Sequence, residues 1–284
     1  MIKQTFVEWS DDKGPRLGAS LSYYTVFSMA PLLLLVISIA GLVFGPAAAE
    51  GRIFGELRGL LGSDAARLVQ TVVAKASRPE HGILGTIISV GVLVVGATGV
   101  VVELQDALNS VWKIAPKPNR GVWGVIRTRL ISVAMILTLG FLLLVSLVVS
   151  AALAALGGWL RGLAGGAVAV GWILDVTVSL GVIATLIALI YKVLPDAVIS
   201  WRDVWIGAGV TALLFLLGKY LIGLYIGRAS VGSAFGAAGS LAVLLVWVYY
   251  SAQIMLLGAE FTRVFANRFG SKVRPSKAAV ELKP

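Results

Sequence analysis

The sequence predicts an all-α fold: a polytopic membrane protein with six transmembrane helices plus amphipathic interfacial helices. Three observations carry that expectation. Of 284 residues, 58% are hydrophobic and only 13% charged, and a soluble domain of this size could not cover so much apolar surface. Mostly apolar stretches long enough to cross a hydrocarbon layer of about 30 Å recur six times along the chain. Lys and Arg are spread unevenly between the segments that connect those stretches, as the positive-inside rule requires.

Taken in order, residues 1–16 carry Glu8, Asp11, Asp12 and Lys13, so no cleavable signal peptide is expected and the first apolar stretch is expected to stay as a membrane helix. Residues 17–29 mix apolar positions with Ser20, Ser22, Tyr23, Tyr24, Thr25 and Ser28. They read as an amphipathic helix lying near the cytoplasmic surface or entering it obliquely. Pro31 is expected to interrupt or kink the pattern, and Gly45-Pro46 to stop the first span, 27–44. Across 51–77 charges recur every few positions while Ile53, Phe54, Leu57, Leu60 and Leu61, then Leu68, Val69, Val72 and Val73, keep helical spacing. Two short amphipathic helices outside the bilayer follow, with Ser63 as N-cap of the second; they lie on the headgroups or lid the bundle.

The second span, 83–102, runs into ELQDALNSVWK. There Gly96, Gly99, Glu103, Asp106 and Ser110 fall at spacings of 3, 4, 3 and 4, so a glycine face continues into an acidic one. The third span is 130–156, the fourth 172–191 with Asp175, and the fifth 204–226 with Lys219. The sixth lies within 230–263, SVGSAFGAAGSLAVLLVWVYYSAQIMLLGAEFTR, where Gln253 and Glu260, seven apart, share one face with Tyr249. Residues 1–270 form one six-helix domain, and 271–284 a basic, flexible tail. Gly41 and Gly45, Gly223 and Gly227, and Gly236, Gly239 and Ser240 offer close helix crossings.

Six spans put both termini on one side. With the termini inside, the inner segments hold 16 Lys and Arg and the outer ones 7, so both termini are expected in the cytoplasm. The net charge of +10 is then explained by inner loops meeting anionic headgroups, without a nucleic-acid partner. The chain has no cysteine and a single histidine, His81, which leaves little scope for a metal cluster; no metal and no cofactor are expected.

GASLSYYTVFSMAPLLLLVISIAGLVFG, LQDALNSVWKI and FGAAGSLAVLLVWVYYSAQIMLLGAEFTRVFA resemble the three signature blocks of the YihY/BrkB family, and the likeness covers nearly the whole chain. The resemblance implies six spans, a bacterial inner-membrane location and cytoplasmic termini. It also brings a former ribonuclease BN name, now regarded as a misassignment, a virulence-factor name from serum resistance, and lipid or lipopolysaccharide-precursor transport proposed for some relatives. The family offers no agreed catalytic residues to carry over.

Candidate functional residues are the polar groups inside or at the ends of spans. Lys219 lies about 22 Å up span five from its inner end, where a bare charge is costly unless it finds a partner or water. Asp175 sits at a similar level, so an Asp175–Lys219 pair facing a polar cavity is expected; the alternative is that Lys219 snorkels to the outer headgroups. At the inner side, Gln253, Glu260 and Tyr249 of span six, Glu103, Asp106 and Asn109 of span two, and Arg127 and Arg129 before span three suggest a mixed polar mouth. The alternative there is helix capping and packing.

Enzyme motifs are missing: there is no Walker loop, no H-E-x-x-H, no nucleophile elbow and no carboxylate cluster for phosphodiester cleavage. Dispersed basic residues without a stacking surface give ribonuclease activity no support. The sequence favours a transporter, flippase-like, of a lipid or lipid-linked glycan without its own ATPase, with membrane lipids and anionic headgroups as partners. A non-transporting envelope scaffold or virulence factor is the alternative, and a membrane-embedded lipid-modifying enzyme comes third.

Overall fold

In the computed structural model, which describes residues 1–61, 63–76, 83–117, 129–138, 140, 167–228 and 239–282, long helices dominate. In chain order these are α1 (Ile2–Asp11), α2 (Gly14–Phe44), α3 (Pro46–Leu61), α4 (Ser63–Ala76), α5 (Ile83–Val111), α6 (Arg129–Thr138), α7 (Ala167–Val193), α8 (Trp201–Arg228) and α9 (Gly239–Phe269). Four of the described helices hold stretches long and apolar enough to cross a membrane: Gly14–Ser38, Val176–Val193, Trp201–Lys219 and Gly239–Phe269. They correspond to the first, fourth, fifth and sixth expected spans. The second falls on α5, whose side chains over 83–90 and 92–94 lie outside the described residues. Of the third, 130–156, the short apolar α6 and residue 140 are described, and the rest lies outside.

The surface helix and first span expected from the sequence are one 31-residue helix, α2, about 46 Å long. Lys13, at φ 56°, turns the chain into it, and Pro15 sits in the first turn, where a missing N–H costs nothing. Pro31 leaves the helix continuous. Its ring lies over Gly96 of α5, where a Cβ would collide with it. Gly99 faces Ser28, and Glu103 accepts a hydrogen bond from Ser20, so the glycine-to-acid stripe of α5 is the face that docks on α2. Gly45 ends the helix at φ 84° with nothing packed against its Cα, so it is a stop and not a crossing point.

Helices α8 and α9 run antiparallel through small-residue notches. Thr262 fills the space over Gly207, Thr211 that over Gly258, and Tyr250 with Ile254 that over Gly218. Both threonine hydroxyls donate back to the carbonyl four residues earlier, at 2.7 Å, so no polar atom is stranded in the crossing. Beside it Tyr191, fully buried, donates to the Met255 carbonyl at 2.6 Å and meets Trp112 edge-on at 6.2 Å. Leu108, Val111, Leu194, Val204 and Leu256 complete this core, at the end of the bundle that carries both termini.

The hairpin α3–α4 does not cap the far end of the bundle as a lid. The apolar face of α4, Ala65, Val69 and Val73, packs with Phe54 against Val243, Leu244 and Val248 of α9 and Val26, Met29 and Leu33 of α2. Val26 to Leu33 lie roughly 18–28 Å along α2 from its start, so α4 lies against the bundle's flank. The reason is its amphipathicity: two turns of valines and alanines need a partner face, and the flank supplies one.

The tail also departs from expectation. Residues 271–282 fold back as β3 (Arg274–Pro275) and β4 (Ala279–Glu281), which pair antiparallel with β2 (Ala197–Val198) and β1 (Ile114–Pro116). These connectors offer unpaired backbone groups, and the tail satisfies them. The Asp203 carboxylate accepts from the Ser271 amide at 2.9 Å and its hydroxyl at 2.8 Å, and Ala279 is buried.

Candidate functional site

The polar face of α9 is placed at the terminal end of the bundle, and it is packed. Gln253 accepts from the Trp9 indole at 3.2 Å and donates to the Gly14 carbonyl at 3.2 Å, with Gly18 leaving room for its amide. It therefore fastens α9 to the junction of α1 and α2. Two turns on, Glu260 is wholly buried, and Arg263, on the next turn, brings its guanidinium to 3.0 Å from one carboxylate oxygen. The contact is an ion pair, and neither Glu260 oxygen accepts a hydrogen bond of good geometry.

Arg263 donates instead to Glu8 of α1 at 2.6 Å and lies 3.6 Å from Asp12, which is paired to Lys113 after α5. Three carboxylates thus share two cations in a network that ties α1, α5 and α9. Sequence reasoning missed all four because Glu8 and Asp12 served only to argue against a signal peptide, and Lys113 and Arg263 only as topology charges. The signal available was the i, i+3 spacing of Glu260 and Arg263. Among the described residues no group of three or more His, Cys, Asp or Glu is placed to hold a metal ion.

The other candidates have separate partners. Glu103 meets Ser20. Asn109, buried, donates to the Asp196 carboxylate at 3.3 Å and accepts from the Asp196 amide at 2.8 Å. Arg129 donates to Thr98 at 2.8 Å. Asp106 and Tyr249 are exposed, and Arg127 lies outside the described residues. Lys219 is exposed on α8, and the Asp175 side chain, the other half of the expected pair, lies outside the described residues. Gln253, Glu103, Asn109 and Arg129 join one element to another, and none of Gln253, Glu260 and Lys219 lines a described cavity.

A cavity is found elsewhere. Between the described parts of α2, α4 and α9 lies a hollow of about 360 Å³, lined by Val26, Met29 and Ala30, by Leu68, Val69 and Val72, and by Ser240, Leu241 and Leu244. Only Ser240 contributes a polar side chain. Val72 and Leu241, 46% and 40% exposed, leave it open at the bundle's flank. Its volume falls in the range of small-molecule sites, roughly 300–1,000 Å³. Chemically it suits a flexible hydrocarbon chain entering sideways from a bilayer.

The family model for virulence factor BrkB matches residues 5–282. The chain belongs to the BrkB family. Among curated relatives, a UPF0761 membrane protein of Verminephrobacter eiseniae is 28% identical over 92% of this BrkB-family chain and 61% of its own length. One from Ralstonia nicotianae is 26% identical over 88% of the chain and 55% of its own. A third, from Cronobacter sakazakii, is 29% identical over 92% of the chain and 86% of its own. The chain therefore spans little more than half of the first two relatives. No solved structure matches it.

Proposed function

We propose that this BrkB-family membrane protein moves a lipid or lipid-linked glycan across a bacterial cytoplasmic membrane, with no ATPase of its own. The observation that carries this reading is the apolar hollow at the flank of α2, α4 and α9, open where a bilayer would meet it. A transporter of soluble solutes has no use for such an opening, whereas a lipid can slide a chain into it while its headgroup stays polar. The path runs along this flank. The polar face of α9, offered by the sequence as a substrate site, serves as the packed pivot at the other end.

The reading places both termini in the cytoplasm. The terminal end carries exposed Phe6, Trp201, Trp205 and Phe269, side chains that settle at either membrane interface, and the Lys and Arg balance supports the cytoplasmic side. Helices α5 and α7 both stop at the terminal end, where Asn109 is hydrogen-bonded to Asp196. The packed state of Gln253 and Glu260 favours a second reading, a scaffold that moves nothing.

Reconstitution separates the two. Purified protein in liposomes containing a fluorescent phospholipid is treated with a membrane-impermeant reductant. Transport predicts bleaching beyond the outer-leaflet fraction at a rate that rises with protein content. Bleaching that stops at the outer leaflet at every protein density leaves the scaffold.

A further inference from the structure

A second concavity lies on the other side of α4, about 490 Å³, lined by Arg67, Gln70, Thr71, Ala74 and Lys75. Among the described residues, two cations, an amide and a hydroxyl line it, and no carboxylate does. Both hollows are lined by α4. Lys75 is seven residues from Leu68, so the two side chains lie about 20° apart around the helix, one rimming the polar hollow and the other the apolar one. Along the axis they are separated by roughly 10 Å.

We infer that α4 carries a binding site for an anionic membrane phospholipid, with an acyl chain in the apolar hollow and the phosphate against Arg67 and Lys75. The inference rests on the lipid reading above and adds the class of headgroup and the residues that select it. Arg67 offers a planar fork matched to phosphate oxygens, and Lys75, about 12 Å further along the helix, a point charge whose long stem can reach back toward it. Gln70 adds an amide donor suited to glycerol or phosphate oxygens, while the Thr71 hydroxyl donates to the Arg67 carbonyl at 2.8 Å and leaves its oxygen as an acceptor.

Charge and position argue for a lipid as the occupant. Helix α4 packs at mid-height of α2, so its basic face is presented alongside the spans and not in an outer loop. Basic side chains held there gain most from an anion that arrives with its own apolar chain. The neighbouring hollow, within the same helical turns, is where that chain would go. A zwitterionic lipid carries an ammonium group that the two cations repel.

The test uses the full chain in phosphatidylcholine vesicles with trace phosphatidylglycerol or phosphatidylcholine probes carrying a photoactivatable acyl chain. The phosphatidylglycerol probe is expected to label peptides of α2, α4 and α9 about tenfold more than the phosphatidylcholine probe. R67Q/K75Q should erase that preference while leaving phosphatidylcholine labelling unchanged, and R67K/K75R should retain it. Equal thermal melts of the variants confirm that each is folded. Equal labelling by the two probes, preference untouched by R67Q/K75Q, or full displacement by millimolar inorganic phosphate overturns the inference. Labelling is read without any transport, so selective labelling in a protein that does not scramble lipids would sink the transport reading and leave this site standing.

Discussion

Replacing Arg263 with methionine leaves Glu8, Asp12 and Glu260 with Lys113 as the sole cation of the network. The side chains of Glu260 and Asp12 are only 1% and 6% exposed, so neither can recover its hydration once the guanidinium is gone. Removing one partner of a buried ion pair costs about 3–5 kcal/mol, because the other charge stays buried and uncompensated. At 1.4 kcal/mol per tenfold, the unfolding constant should rise roughly a hundredfold to a few thousandfold. Equilibrium unfolding in detergent micelles of R263M, E260Q and the double variant provides the assay. The double variant should be more stable than the two single losses added together, by at least about 1 kcal/mol, since E260Q removes one of the orphaned charges. If R263M lies within about 0.5 kcal/mol of the unaltered protein, or the losses simply add, the network does not hold α1 to α9 as described.

The same melts check the helix crossing: Gly258→Leu forces Thr211 and α8 away and should cost about 1–3 kcal/mol or more. Gly209→Ala, on α8 with open space around it, should be neutral or stabilising by up to about 1 kcal/mol. Tyr191→Phe removes a buried hydrogen bond to the Met255 carbonyl, which keeps its intrahelical partner, and should lose about 0.5–1.5 kcal/mol. Deleting 271–284 should speed amide hydrogen exchange in 113–117 and 196–200, the connectors that β3 and β4 cover, while protection of α9 is retained.

What the sequence made legible follows periodicity. The stripe from Gly96 through Glu103 has a spacing that only helix geometry explains, and it is the face that meets α2. Gln253 and Glu260 could be placed on one face of α9 for the same reason. What faces them could not, because partners far apart in sequence leave no trace in local spacing: Trp9 lies 244 residues from Gln253, and Glu8 lies 255 from Arg263. The tail was misjudged because its basic, Pro-containing composition resembles a disordered segment, while its pairing depends on backbone groups in the connectors. The hollow beneath α4 left no mark at all. Val26, Val69 and Leu244 look like ordinary core residues until the three helices are brought together.

The central claim, that lipid passes along the flank of α2, α4 and α9, is tested most directly by filling the hollow. Val72→Trp places an indole at its mouth, and Val95→Trp, on an exposed position of α5 away from the hollow, serves as the control. In the liposome bleaching assay the unaltered protein and Val95→Trp should move fluorescent lipid at the same rate, and Val72→Trp should be slowed about tenfold or more. Equal rates for all three proteins, or no movement above protein-free liposomes, would contradict the account.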